Sequence, residues 1–175
     1  NAEGAPGQFL WAILRNSFHY AALHLEHIAE SARDVDQAMR WGFGMKQGPF
    51  ELWQEAGWLQ VAKMVQEDID AGKALSTEPL PQWVFEGPVA DAGGVHTAQG
   101  SWSAAENRFV PRRDLPVYAR QLFPERVLGE ASEGAQDWRT AGRTLTESKA
   151  SRSWTLDDQV LVFSIKTKMH AISPD

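Results

Sequence analysis

Between Asp34 and Gly57 the chain reads DVDQAMRWGFGMKQGPFELWQEAG, two apolar-periodic runs joined by a turn that holds Gly42, Gly44 and Gly48. Glycine enters the left-handed region without a Cβ clash and so ends helices readily. Proline fits the first helical turn, where its missing N–H is not needed. Gly48-Pro49 therefore stops one helical region and opens the next. The short helix opened by Pro49 presents Phe50, Leu52 and Trp53 and is expected to stop at Gly57.

The flanking sequence continues in the same period. Leu10, Ile13, Leu14, Phe18, Ala21, Ala22, Leu25, Ile28 and Ala29 recur at three-four spacing, which predicts one apolar stripe on a helix over residues 8–30. Ser31 with Asp34 three residues later is an N-cap signature, so a second helix starts there and carries Val35, Ala38 and Met39 inward. Trp58, Val61, Ala62, Val65 and Ile69 mark a fourth helix capped by Gly72. Four amphipathic helices with short connections predict a compact helical unit over residues 1–75.

The pattern then changes. Pro79, Pro81 and Pro88 and the run Asp91 to Gly94 break any helix, and residues 76–150 read as a connector with little regular structure. Within it, Ser101–Ser103 and Arg108–Val110 could pair as a small hairpin, Leu115–Phe123 could form a short helix, and Glu130–Asp137 reads as a linker. The end returns to β character, with Ser151–Leu156, a turn at Asp157-Asp158, then Gln159–Lys166. In the last strand Leu161, Phe163 and Ile165 share one face while Val160 and Val162 lie on the other, so it should be covered on both sides. Little else in the chain could do that. A start without Met and an end just after this strand are expected of a piece of a longer protein.

Composition removes several classes. No run of about eighteen apolar residues occurs, so no membrane span is expected. The absence of cysteine excludes a disulfide framework and thiolate chemistry. A net charge of -6 without an offsetting Lys/Arg cluster argues against a nucleic-acid partner. His24, His27 and Glu30 are three apart on the first helix, but they fill its polar side, where solvated charge is the ordinary content, and no metal is assigned. Gly42, Gly44 and Gly48 follow no strand and lack a Gly-Lys-Ser/Thr ending, so they are not a phosphate loop. No Ser/His/Asp order stands out, and no catalytic residue is assigned.

The Asp34–Met39 start together with Gly48, Pro49, Phe50, Glu51 and Leu52 resembles the C-terminal helical domain of L-3-hydroxyacyl-CoA dehydrogenases, over roughly residues 8–72. The resemblance implies a mainly α fold, with Gly48, Pro49, Phe50 and Glu51 as a structural signature turn. It also implies packing on an NAD-binding Rossmann domain, an acyl-CoA substrate and a cytoplasmic setting, with NAD held by the parent enzyme and none expected on this piece. In such dehydrogenases the first helix brings an Asn, in an Asn-Arg pair, to the substrate. Counting back from Ser31, that position falls close to Trp11, and Arg15-Asn16 is a reversed pair a turn later. Multifunctional β-oxidation proteins carry two copies of this domain, the second of which typically lacks the Asn, and this chain resembles the second.

At the other end, the run from Asp157 through Ile165 and on to Lys166-Thr167-Lys168-Met169-His170-Ala171-Ile172 resembles the opening strands of a crotonase-fold enoyl-CoA hydratase. That module follows the dehydrogenase domains in one bacterial branch of fused enzymes. The resemblance makes residues 151–175 a truncated opening of that module and makes Lys168 and Ala171 candidates for a CoA-contacting surface. Lys166 and Lys168 also fit ordinary solvated strand-end charge. The expected architecture is thus a four-helix dehydrogenase-type domain, a connector and a short C-terminal β-hairpin. Its partners are the Rossmann and first helical domains of the parent chain, with self-association through the open strand edge. A free-standing helical module that binds protein or acyl-CoA is the alternative.

Overall fold

A computed structural model describes residues 4–118, 121, 125–130 and 141–172. The fold is mainly α, with small antiparallel sheets, and it divides into two units. The first comprises residues 1–115 and 125–131, and the second comprises residues 116–124 and 132–175.

The first unit is built on three long helices, α1 (Ala5–Ile28), α2 (Ala32–Phe43) and α3 (Pro49–Asp70). The Asp34 carboxylate accepts hydrogen bonds from the Ser31 N–H at 3.0 Å and the Ser31 hydroxyl at 2.9 Å, so the expected start of α2 is in place. Gly44 ends α2 in the left-handed region (φ 65°). Gly72 (φ 70°) ends α3, with its own N–H bonded to the Ile69 carbonyl and the Lys73 N–H bonded to that of Asp68. This double bond pattern is a Schellman closure.

Gly57 behaves differently from expectation. The third and fourth expected helices form one element, α3, with a kink at Gly57 (φ 102°, ψ 96°), a backbone region that favours glycine. The kink lets the Trp53 indole N–H reach the Trp58 carbonyl at 2.9 Å. Phe50, Trp53, Trp58, Val61, Ala62, Val65 and Ile69 are all buried, as the pattern predicts.

Two helix faces depart from the expected stripes. In α1, Phe18, Ala21, Ala22 and Leu25 are buried, whereas Leu10, Ile13, Leu14 and Ile28 are exposed. The α2 residues turned inward are Ala32, Asp36 and Gln37, while Ala38 is exposed. The reason is polar: the Asp36 carboxylate is needed at the start of α3.

Residues 80–110 carry more regular structure than the connector expected over residues 76–150. They contain a 3-10 turn (Gln82–Val84), α4 (Pro88–Ala92), β1 (His96–Thr97), β2 (Gly100–Ser103) and β3 (Arg108–Val110). The β1-β2-β3 sheet is antiparallel, with Ser101 opposite both His96 and Val110 and Trp102 opposite Phe109, so the expected hairpin gains a third strand. Leu80, Val84, Val89, Val95 and Trp102 join the same core as the helices. A ladder of rings runs through it: Phe18 to Trp53 (5.4 Å), Trp53 to Trp58 (4.2 Å), Trp58 to Trp83 (6.2 Å), Trp83 to Trp102 (6.0 Å) and Trp102 to Phe109 (5.5 Å). The hydrophobic area needed to bury these rings comes from residues on both sides of position 75.

The second unit holds an antiparallel meander of β4 (Arg143–Glu147), β5 (Ser151–Thr155) and β6 (Val162–Ile165). A hairpin was expected; β4 adds a strand on the far side of β5. Trp154 and Arg152 are buried in it, with the guanidinium 5.0 Å from the indole centre. Leu161 and Phe163 are exposed, in keeping with a strand not covered on both faces. The expected Leu115–Phe123 helix does not form over residues 115–118, which run as loop and turn, and residues 119, 120, 122 and 123 lie outside the described residues, as does most of the Glu130–Asp137 linker.

Candidate functional site

The signature turn is explained by one buried carboxylate. Asp36 is fully buried; its Oδ1 accepts the Phe50 N–H at 2.9 Å and its Oδ2 the Glu51 N–H at 3.0 Å. These are N–H groups of the first turn of α3, which have no partner within the helix, and the negative charge suits the helix start. Gly48 is required because a Cβ there would sit 2.3 Å from the Asp36 Cα and 2.2 Å from its Oδ1. Pro49 opens the helix, and Phe50 is buried in the core. Glu51, also buried, accepts the Gly48 N–H at 3.0 Å and the Leu128 N–H at 2.9 Å, with Arg40 at 3.5 Å. All four signature residues are buried at this helix junction.

The structure brings two further polar groups to Asp36. His96 Nε2 lies 2.7 Å from Asp36 Oδ2, and His96 Nδ1 lies 2.9 Å from the Ser101 hydroxyl oxygen. In the neutral ring, Nε2–H donates to the carboxylate and Nδ1 accepts the hydroxyl. Burial lifts the Asp36 carboxyl above its ordinary value, against the opposing hydrogen bond and charge of His96 and the Phe50 N–H, while the charge of Glu51 adds to the rise. Gln54 brackets the His96 backbone, accepting its N–H and donating to its carbonyl, both at 2.9 Å. Ser, His and Asp in line resemble a nucleophilic relay, but all three are at most 2% exposed and Ser101 is paired within a sheet. Without a route for substrate, the relay fastens α2, α3, β1 and β2 together. No local sequence signal marks it, because Asp36 and His96 lie 60 positions apart.

The position near Trp11 has a defined task. The Trp11 indole N–H donates to Asp68 Oδ2 at 2.8 Å. Arg15, buried, donates to the same oxygen at 3.0 Å and to the Lys73 carbonyl at 2.6 Å. Lys73 Nζ reaches Asp68 Oδ1 at 3.1 Å. These contacts clasp the start of α1 to the end of α3. Burial pushes the Asp68 carboxyl up, but the donors Trp11, Arg15 and Lys73 together hold it below its ordinary 3.8. A lowered folded-state value contributes stability above 3.8 that is lost as pH falls through the lowered value. Asp68→Asn should therefore flatten the acid limb of the stability profile between about pH 5 and 2, as read by urea midpoints; an unchanged slope would contradict the clasp.

Beside the clasp, a groove of about 360 Å³ runs along α1, lined by Asn16, His19, Tyr20 and His24 and by Leu75 and Glu78. His19 is held by the Glu78 backbone carbonyl at 2.7 Å, and the Asn16 side-chain Oδ1 accepts from Arg15 Nε. The groove offers apolar wall and a few polar handles, which suits binding more than proton transfer.

In the second unit, Lys168 and Ala171 are both exposed around a 3-10 turn (Lys168–His170). Ala171 lines a pocket of about 200 Å³ with Ser151, Phe163, Ile165, Thr167 and Ile172, whereas Lys168 is not part of its wall. Lys166 is engaged with Glu147 at 2.8 Å and the Ser148 carbonyl at 2.9 Å.

The model of the 3-hydroxyacyl-CoA dehydrogenase, C-terminal domain, matches residues 9–102, more than half of the chain. The chain belongs to this family. The matched span ends within β2, so the family domain takes in His96 and Ser101 as well as the helices. That agrees with the packing, in which residues 80–102 complete the helical core. Among curated relatives, the chain is similar to a probable 3-hydroxyacyl-CoA dehydrogenase of Bacillus subtilis (strain 168), 41% identical over 85 residues. The similarity covers 49% of this chain and 10% of the relative, so most of that protein has no counterpart here. No solved structure matches the chain. Within this 3-hydroxyacyl-CoA dehydrogenase domain the glycines near the signature are committed to helix ends and to the Asp36 contact, so they do not fit a dinucleotide loop. No described helix is long and apolar enough to cross a membrane.

Proposed function

We propose that this chain is a second, non-catalytic helical copy within a fused fatty-acid β-oxidation enzyme of the bacterial cytoplasm. The parent oxidises L-3-hydroxyacyl-CoA to 3-ketoacyl-CoA, with NAD held by its Rossmann domain. The observation that carries this reading is the clasp: the place near which an active-site Asn is expected holds Trp11, whose indole N–H is spent on Asp68. Its role is then to buttress the first helical domain and to space the dehydrogenase and hydratase sites. The exposed apolar run Phe9, Leu10, Ile13 and Leu14 on α1 supports such packing, since an uncovered cluster of this kind marks an interaction surface. Residues 151–175 are the opening of the crotonase-like module, with Lys168 and Ala171 near its CoA surface. The exposed Leu161 and Phe163 support completion of that sheet by further chain, and self-association when such chain is missing.

Mixed with NADH and acetoacetyl-CoA, the 175-residue chain is expected to give no turnover above the buffer rate. Saturable NADH oxidation that Trp11→Ala leaves intact would overturn the reading. The groove along α1 keeps open a second role, an acyl-CoA-binding module, which saturable binding of acetoacetyl-CoA without turnover would favour.

A further inference from the structure

We infer that the first unit carries an anion pocket for a dianionic phosphate group, at the turn between β1 and β2. The pocket has a volume of about 240 Å³ and is lined by Thr97, Gln99, Gly100, Arg112, Arg126 and Glu130, among others. Arg112, Arg126 and Glu130 lie beyond residue 102, so half of its wall falls outside the span matched by the dehydrogenase family.

Charge is the first argument. Two half-buried arginines, Arg112 and Arg126, line one small pocket in a chain whose net charge is -6, and Arg112 has a further interaction of its own. The acid in the wall, Glu130, is already engaged: it accepts the Val127 N–H at 3.2 Å and pairs with Arg33. No described residue pairs with the Arg126 guanidinium; only the Arg126 backbone carbonyl is used, by Arg40 Nη1 at 2.7 Å. A half-buried arginine whose guanidinium has no partner among the described residues is well satisfied by an oxyanion that takes its parallel N–H groups in pairs.

Shape is the second argument. The Thr97 hydroxyl donates to the Gly100 carbonyl at 3.1 Å and accepts the Gln99 N–H at 3.2 Å, which fixes the turn. Gly100 packs so closely on β3 that a Cβ there would sit 2.0 Å from the Val110 carbonyl oxygen. Gly129 likewise lies against the His96 carbonyl, where a Cβ would meet it at 2.5 Å. The rim is thus held on both sides by close backbone contacts. A volume of about 240 Å³ falls below the usual range for a whole cofactor, and it suits a phosphate group, either free or at the end of a larger ligand.

Heteronuclear NMR of the 15N-labelled chain, titrated separately with orthophosphate, coenzyme A and coenzyme A lacking its 3′-phosphate, tests this. Saturable shifts are expected at the Gln99 and Gly100 amides and the Arg126 Nε–H. Arg126→Gln should weaken binding about tenfold, and Arg126→Lys, which keeps charge but loses the fork, should fall between. Because the backbone and not the side chain of Arg126 holds Arg40, these variants should keep the wild-type amide spectrum elsewhere. Tighter binding of coenzyme A that is lost with its 3′-phosphate would support a terminal phosphate as the occupant; equal binding of orthophosphate would support the free ion. Absence of saturation with all three probes, or shifts that persist unchanged in Arg126→Gln, would overturn the assignment. Turnover assays do not bear on this pocket, and phosphate titration does not bear on the Trp11 clasp.

Discussion

Replacing Asp36 by alanine is expected to destabilise the chain by about 3–5 kcal/mol, because it strands three buried hydrogen-bonding groups at about 1–3 kcal/mol each. The loss comes from several groups at once. The Phe50 and Glu51 N–H groups and His96 Nε2 all lose their acceptor in a dry environment, and each buried polar group left unpaired is costly. Against a total stability of about 5–15 kcal/mol for an ordinary domain, this is a large share. Asp36→Asn should fall between, since it keeps an oxygen for Phe50 but turns an amide toward groups that are themselves donors. Urea unfolding followed by far-ultraviolet circular dichroism gives the measurement. A loss for Asp36→Ala below about 1 kcal/mol, the level of an average substitution, would mean that the relay is not what holds α3 to α2 and β1.

The second large effect is expected at Gly48. Its backbone (φ -80°) is open to any residue, so the requirement is steric rather than conformational. A Cβ would meet the Cα of Asp36 at 2.3 Å. That is backbone, which cannot swing aside as a side chain can, so Gly48→Ala must separate α2 from the start of α3 and disturb the Asp36 hydrogen bonds. A cost above about 3 kcal/mol, the upper end of ordinary overpacking, is expected. Gly44→Ala is the control: nothing lies within 4 Å of its Cβ position, but its φ is 65°, so only the left-handed penalty of about 1–2 kcal/mol applies. Equal losses at the two glycines, by the same unfolding measurement, would contradict this division.

What was legible in the sequence was local. Ser31 with Asp34, Gly44, Gly48-Pro49 and Gly72 mark helix ends by chemistry contained within a few residues, and each mark is found in the structure. The apolar spacing from Trp58 to Ile69 also holds. What was not legible was set by distant partners. Asp36 reads as a polar surface residue of an amphipathic helix until α3 and His96 are placed against it. Residues 80–102 have no helical or strand period because their apolar side chains fall on elements of two to five residues separated by Pro and Gly. Each such element is stable only against the helices already formed. Gly57 carried the right signal, a break, but position alone does not tell a terminus from a kink.

The ring ladder from Phe18 to Phe109 has an optical consequence. Four of the eight indoles, at Trp53, Trp58, Trp83 and Trp102, follow one another at centroid spacings of 4.2–6.2 Å in a rigid setting. At such spacings excitation passes between rings before it is emitted, and their transitions mix. Light absorbed at α3 is thus shared with β2. The emission of this chain therefore reads the ladder and not one ring, and displacing any rung removes its own pairwise share of the near-ultraviolet dichroism.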